Sequence, residues 1–359
     1  LAIMDSPEIA HPRLEAVITV DEEIGMLGAE VIDLSMLKGH KMLNIDSDVE
    51  GHFLTSCAGG MTVDTVIPVT WQTQQGYSVG LTVTGLEGGH SGSEIDKEHA
   101  NANILMGRVL KYLFDRMEMA IVSLAGGLKD NAIPRESEAE IVIPEEKKTE
   151  FLDYVSELEN IFKKEYAVSD PAVCIEVKEN GAGEYDVLSY SSMTKVIFYL
   201  RNVPNGVQHM SMVMPGLVET SLNTGIMKLT KDALELTASV RSSVSTRKEE
   251  LKDKLEYLAE FLGGEISVSG DYPAWEYRAE SDIREGISAV YEELFHEEPV
   301  FEAIHAGLEC GILSGKIADL DCVSFGPDNF DIHTPKERLS ISSTEKVWKL
   351  IVEFLKRCK

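Results

Sequence analysis

The chain has 359 residues, 43% of them hydrophobic and 26% charged, which suits a globular protein of about two domains, each able to bury a core. Its net charge of −28 repels phosphate backbones and anionic bilayers, so no nucleic-acid or membrane partner is expected. Five scattered cysteines without a Cys-x-x-Cys pair read as reduced thiols of a cytoplasmic protein, and no apolar run approaches the roughly 18 residues of a membrane span.

The opening Leu1-Ala2-Ile3-Met4 reads like the last turns of a helix already under way, so an amino-terminal portion is expected to precede it. Residues 14–20 then read as a buried strand whose apolar run Val17-Ile18-Thr19-Val20 ends in Asp21-Glu22-Glu23. Buried parallel strands are continuous apolar runs, and ligands gather at their carboxyl ends. Successive side chains of an extended segment face opposite ways, which lets one glutamate bind a cation while the other handles a proton. A solvated strand end is the plain alternative. A helix from near Gly25 and a strand over 41–45, ending in Asp46-Ser47-Asp48, complete a βαβ rhythm.

The turn Ala58-Gly59-Gly60 leads to strands rich in Val, Ile and Thr, and the pattern changes near residue 77. Strands are predicted over 79–84, 119–124, 137–142 and 172–179, with helices over 98–116 and 145–164. A helix over 188–201, strands over 218–229 and 233–241, a helix over 247–262 and a strand over 264–270 follow, so the region reads as two similar α+β halves. Phe151, Val155, Leu158 and Phe162 recur at helical intervals, as do Leu251, Leu255, Leu258 and Leu262. Such stripes cover one face of an antiparallel sheet and leave the other face or an edge for dimer contacts. After Tyr272-Pro273 the α/β pattern returns with a helix over 283–294 and a strand over 322–325. Ser342-Ser343-Thr344-Glu345 fits a capping box before a final helix. The order implies one α/β domain, in parts 1–76 and 272–359, split by an inserted α+β domain over 77–271.

Glu22, Glu23, Asp46 and His333, in Asp331-Ile332-His333-Thr334-Pro335, are predicted at ends of strands in the split domain. Carboxylates with imidazole suit zinc, or manganese and cobalt, and a spare carboxylate would serve as base. His333 alone also fits a loop, and Asp46 a cap. In the inserted domain, Gly88-Gly89-His90-Ser91-Gly92 would let backbone approach a ligand while His90 donates to an oxyanion; a flexible hairpin loop is the alternative. Asn131, before Ala132-Ile133-Pro134-Arg135, orients a substrate or shapes a turn. Arg241 forks onto a carboxylate or forms a surface ion pair.

Together these motifs resemble the dinuclear zinc metallopeptidases of the M20 peptidase family, which include aminoacylases and tripeptidases, and most closely their aminoacyl-histidine dipeptidase branch. The matching segments are Thr19-Val20-Asp21-Glu22-Glu23-Ile24-Gly25-Met26, Asn44-Ile45-Asp46-Ser47, Cys57-Ala58-Gly59-Gly60, Gly88-Gly89-His90-Ser91-Gly92, Asn131-Ala132-Ile133-Pro134-Arg135-Glu136, Val218-Glu219-Thr220-Ser221-Leu222-Asn223 and His305-Ala306-Gly307-Leu308-Glu309-Cys310-Gly311. They run in order nearly from end to end. The resemblance implies a zinc-peptidase-like α/β catalytic domain, here incomplete at its amino end, split by a lid and dimerisation domain. It implies hydrolysis of Xaa-His and related dipeptides by water bridging two zinc ions, and a homodimer paired through the lid. By position Glu22 matches the general base, Glu23 and His333 ligands of one metal, and Asp46 a ligand of the other. His90 matches the lid histidine that polarises the scissile carbonyl, Arg241 the arginine for the substrate carboxylate, and Asn131 a further substrate contact.

The family pattern also has a His-x-Asp motif and a bridging aspartate, and neither occurs in these 359 residues: none of the nine histidines has Asp two positions later. If the sequence is the whole polypeptide, an inactive, weakly metal-binding form is therefore expected. Alternatives are another amidohydrolase of the family, a tripeptidase or acylamino-acid deacylase, or a non-catalytic binding protein with a vestigial site.

Overall fold

The computed structural model describes residues 1–22 and 25–358. In chain order these carry α1 (Ala2–Asp5), α2 (Leu27–Val31), β1 (Lys41–Asn44), β2 (His52–Cys57), β3 (Gly59–Pro68), β4 (Trp71–Thr84) and β5 (Gly89–His90). Next come α3 (Ala102–Phe114), β6 (Ala120–Gly126), β7 (Ala132–Ile133), β8 (Ser137–Ile143), α4 (Lys148–Glu165), β9 (Cys174–Leu188), α5 (Tyr190–Asn202) and β10 (Gly206–Met210). β11 (Val218–Leu229), β12 (Ala233–Ser242), α6 (Ser245–Phe261), β13 (Glu265–Tyr272), α7 (Asp282–Phe295), β14 (Val300–Ile304) and α8 (Glu309–Lys316) follow. β15 (Asp321–Ser324), β16 (Asn329–Phe330), β17 (Arg338–Leu339) and α9 (Ile341–Arg357) close the chain.

A nine-stranded sheet runs β13-β3-β12-β11-β6-β8-β4-β9, with β10 added to β11, and every pairing in it is antiparallel. Helices α3 to α6 lie on it. Phe151, Val155, Leu158 and Phe162 of α4, and Leu251 and Leu255 of α6, enter one core with Val63, Ile67, Leu81 and Ile141 of the strands. Each such side chain contributes roughly 1.5–3 kcal/mol by leaving water. The middle of the sheet is thin: β11 meets β6 only at Met227↔Gly126 and Lys228↔Ala125. The sheet also starts upstream of residue 77, where the inserted domain was expected to begin. β3 buries Met61, Val63, Thr65 and Ile67 in alternation and pairs on both sides, with β12 and β13, so it belongs to the large sheet.

The second sheet is four-stranded and mixed, in the order β1-β15-β2-β14. β1–β15 and β14–β2 are parallel, and β15 touches β2 in antiparallel fashion at Ser324↔Leu54. Ile283, Ile287 and Val290 of α7 and Val347, Leu350, Ile351 and Phe354 of α9 share a core with Phe53, Val323 and Phe325. A second cluster, of Cys57, Trp275, Cys310 and Cys322, involves α8. Mixed α/β architecture with an inserted antiparallel α+β unit is thus the fold. Among the described residues, no helix is long and apolar enough to cross a membrane.

Two local expectations are corrected. Residues 14–20 form no strand: they pair with neither sheet, and Ile18 and Val20 are 74% and 67% exposed. A strand exists only where a neighbour takes its backbone hydrogen bonds, and apolar sequence cannot supply that neighbour. Glu22 consequently lies in a turn rather than at a strand end, its carbonyl accepting from the amides of Gly25 (3.1 Å) and Met26 (2.9 Å). The final helix is capped by Ser340, whose hydroxyl accepts from the Ser343 amide, so Ser342 and Ser343 already sit in its first turn.

Phe162 is fully buried at the end of α4's stripe. Phe162→Ala should lower the unfolding free energy by about 3–5 kcal/mol in urea titration; a loss below about 1 kcal/mol would remove it from the core.

Candidate active site

His90 is presented by backbone. β5 pairs with β7 through His90↔Ala132, and the Ser91 amide donates to the Asn131 carbonyl at 2.9 Å. His90 Nδ1 accepts from the amides of Gly92 and Ser93, each at 3.2 Å. An accepting Nδ1 leaves the proton of the neutral ring on Nε2, ready to donate. The ring is partly desolvated, which lowers its pKa; Arg241 lowers it further, and Glu94 opposes both. Gly92 is required here: a Cβ would stand 2.9 Å from the His305 carbonyl oxygen and 3.0 Å from His90 Cε1.

Arg241 lies on β12 opposite Ser221 of β11. One guanidinium nitrogen donates to the Tyr272 hydroxyl at 3.1 Å, while its buried Nε has no hydrogen-bond partner. Among the described residues no carboxylate pairs with Arg241. Beside it His305 is 8% exposed, its Nε2 2.7 Å from the Ser221 hydroxyl. Burial, and then Arg241, push the His305 pKa down to about 3, against a weaker opposing effect of the Val218 carbonyl, so the ring is neutral at physiological pH. A cation, a phenol, a hydroxyl and two imidazoles that resist protonation gather here, an arrangement suited to an anion such as a carboxylate.

The remaining predicted residues lie on the four-stranded side. Asp46 is exposed in the loop after β1, and His333 is exposed in the loop of the β16–β17 hairpin, at φ 62°. The loop after β1 is held to the start of that hairpin: the Asn329 amide donates to the Asp48 carbonyl at 2.9 Å and the Glu50 amide to the Asp328 carboxylate at 2.8 Å. Glu22 is half-buried in its turn, and Met26, four residues on, reaches Gly307, against which the Tyr272 ring also lies. That contact connects the Glu22 turn to the Arg241 cluster. Glu23 lies outside the described residues. Among those that are described, no three His, Cys, Asp or Glu side chains are grouped to hold a metal ion, so Asp46 and His333 are of the right donor type without forming a metal site by themselves.

The geometry can be set beside known proteins. Residues 81–170 match the model of the peptidase dimerisation domain of the M20 type. The chain is 32% identical to the cytosol non-specific dipeptidase of Escherichia coli (strain K12), across 99% of this chain and 74% of that protein. This chain belongs to the M20 peptidase family. The crystal structure of aminoacylhistidine dipeptidase from Vibrio alginolyticus superposes with a TM-score of 0.93 at 32% identity, covering 99% of this chain and 73% of that one. An M20 peptidase on the aminoacyl-histidine dipeptidase branch is a hydrolase, and the split α/β architecture is that of the family.

Sequence reasoning gave no role to Tyr272, Ser221 or His305. The last two stood in motifs the resemblance picked out, but their meeting depends on strands far apart in sequence. His305 supplies a test. The unfolded ring takes a proton below about 6.5 and the folded ring refuses it down to about 3. Its contribution to stability is therefore complete above pH 6.5 and is lost progressively as pH falls towards 3. Urea midpoints measured from pH 7 to pH 4 should fall less steeply in His305→Gln than in wild type; equal slopes would deny His305 this burial.

Proposed function

We propose that the protein hydrolyses dipeptides, Xaa-His and related ones, in the cytoplasm, with Glu22 as general base. The observation that carries this reading is Arg241, a half-buried cation without a carboxylate partner among the described residues, in a chain of net charge −28. A dipeptide's terminal carboxylate supplies that missing anion. Asn131, exposed on the neighbouring loop, orients the substrate. His90 donates its Nε2 proton to the scissile carbonyl oxygen, where charge develops. Glu22 accepts the proton of the attacking water and passes it to the leaving amine. Likeness to a dipeptidase over 99% of this chain supports the substrate class.

Zinc is the proposed cofactor, two ions per complete site, with manganese or cobalt as substitutes; Glu23, Asp46 and His333 are its proposed ligands in this chain. Because no His-x-Asp motif occurs in these 359 residues, a polypeptide of this sequence alone should hold zinc weakly and show little turnover. Equilibrium dialysis followed by elemental analysis checks this, and retention of a stoichiometric ion would refute it. The inserted α+β unit, whose sheet reaches upstream of the expected 77–271 to include β3, acts as a lid and pairs two subunits, in keeping with the dimerisation-domain match.

In the natural protein carrying this sequence, Glu22→Gln should lower kcat for alanyl-histidine by about 10²–10⁴. Arg241→Ala should act chiefly on KM, raising it about tenfold or more. Histidine release reads both; unchanged kinetics in Glu22→Gln would remove it as the base, and no release by the unaltered natural protein would sink the dipeptidase reading.

A further inference from the structure

Ser221 and Asn223 are two residues apart on β11 and so project from the same face of the sheet. Ser221 holds His305. Asn223, only 1% exposed, uses both hydrogens of its amide on a different loop: Nδ2 donates to the carbonyls of Asp130 at 2.8 Å and Ala132 at 2.9 Å. These are the carbonyls of the two residues that flank Asn131. The Asn131 carbonyl itself accepts from Ser91, next to His90, and Ala132 pairs with His90 across β5–β7. One buried amide therefore grips the loop that carries Asn131 and that pairs with the backbone of His90.

We propose that Asn223 is a positioning residue, which fixes Asn131 and His90 relative to each other and to Arg241. It touches no reacting atom. Its own orientation is set from behind, where Asn101 Nδ2 donates to Asn223 Oδ1 at 3.2 Å while Asn101 Oδ1 caps α3 by accepting from Asn103 and Ile104. The loop has a second tether at Asp130, whose carboxylate accepts from Thr62 of β3 at 2.9 Å. With the backbone held at Asp130, Asn131 and Ala132, the Asn131 side chain is left outside, exposed. An asparagine is needed at position 223 because two donors of fixed geometry must meet two carbonyls, with an acceptor left over for Asn101. An aspartate of the same shape would set a carboxylate oxygen against carbonyl oxygens and lose both bonds.

The inference rests on the dipeptidase reading for the roles of His90 and Asn131, but its structural part can be read without turnover. Hydrogen exchange followed by mass spectrometry on Asn223→Asp should show segments 88–93 and 127–134 exchanging about tenfold faster or more, with β4 and β9 unchanged. Asn223→Ser, which keeps one donor, should fall between wild type and Asn223→Asp. In the natural protein the same variants should lower kcat for alanyl-histidine in that order, while the shape of its pH profile stays the same. Unchanged exchange in the two loops would overturn the proposal. So would acceleration spread equally over β4 and β9, which would make Asn223 a general support of the fold. Local loosening in a protein whose natural form splits no dipeptide would uphold the positioning and overturn the enzymatic reading instead.

Discussion

Arg241 keeps its place because β12 is locked in one register between β3 and β11, with Arg241 facing Gly60 on one side and Ser221 on the other. A slip of one residue would turn every side chain of β12 to the opposite face of the sheet and carry the guanidinium away from His305 and Tyr272. Ten paired positions with β3 make that slip expensive. The half-buried cation therefore draws its cost from a sheet far larger than the site. Lys248, buried at 5% exposure, adds to this by holding Asp271 and the Tyr272 carbonyl, which steadies the ring that meets Arg241.

The helices and most strands of the large sheet were legible because their apolar spacing reports directly on burial. Val218–Leu229 and Ala233–Ser242 fall almost where alternation puts them, as do the stripes of α4 and α6. Residues 14–20 misled for the opposite reason: a run of Val, Ile and Thr has strand character, yet strand formation is a property of two segments. The same limit applied to the site. His90, Asn131 and Arg241 stood out by residue type and motif, whereas His305 and Asn223 matter through what they touch. A buried histidine and a buried asparagine look ordinary in sequence until the strand face that joins them is known.

Charge acts on two scales. At distances beyond about 8 Å, salt screens the chain's net −28, so it does little to an arriving dipeptide. At contact the balance is local, and around Arg241 it is cationic. Both imidazoles have lowered pKa values, so they add hydrogen-bonding capacity there without adding charge. The fold thus sets a cation without a carboxylate partner among the described residues beside neutral hydrogen-bonding groups, in a protein that is strongly acidic as a whole.

The thin join between β11 and β6 bears on how the chain comes together. β4, β6, β8 and β9 are all drawn from residues 71–188, so that half of the sheet closes from neighbouring segments as soon as they exist. β3 precedes them yet pairs only with β12 and β13, which follow them. During synthesis β3 therefore waits, its alternating apolar face exposed, until the other half-sheet has been made. Contacts of such high sequence separation form slowly, and an unpaired strand invites the wrong partner. In a ribosome-bound chain, the long edge beginning at Gly59 stays open until β12 has followed it.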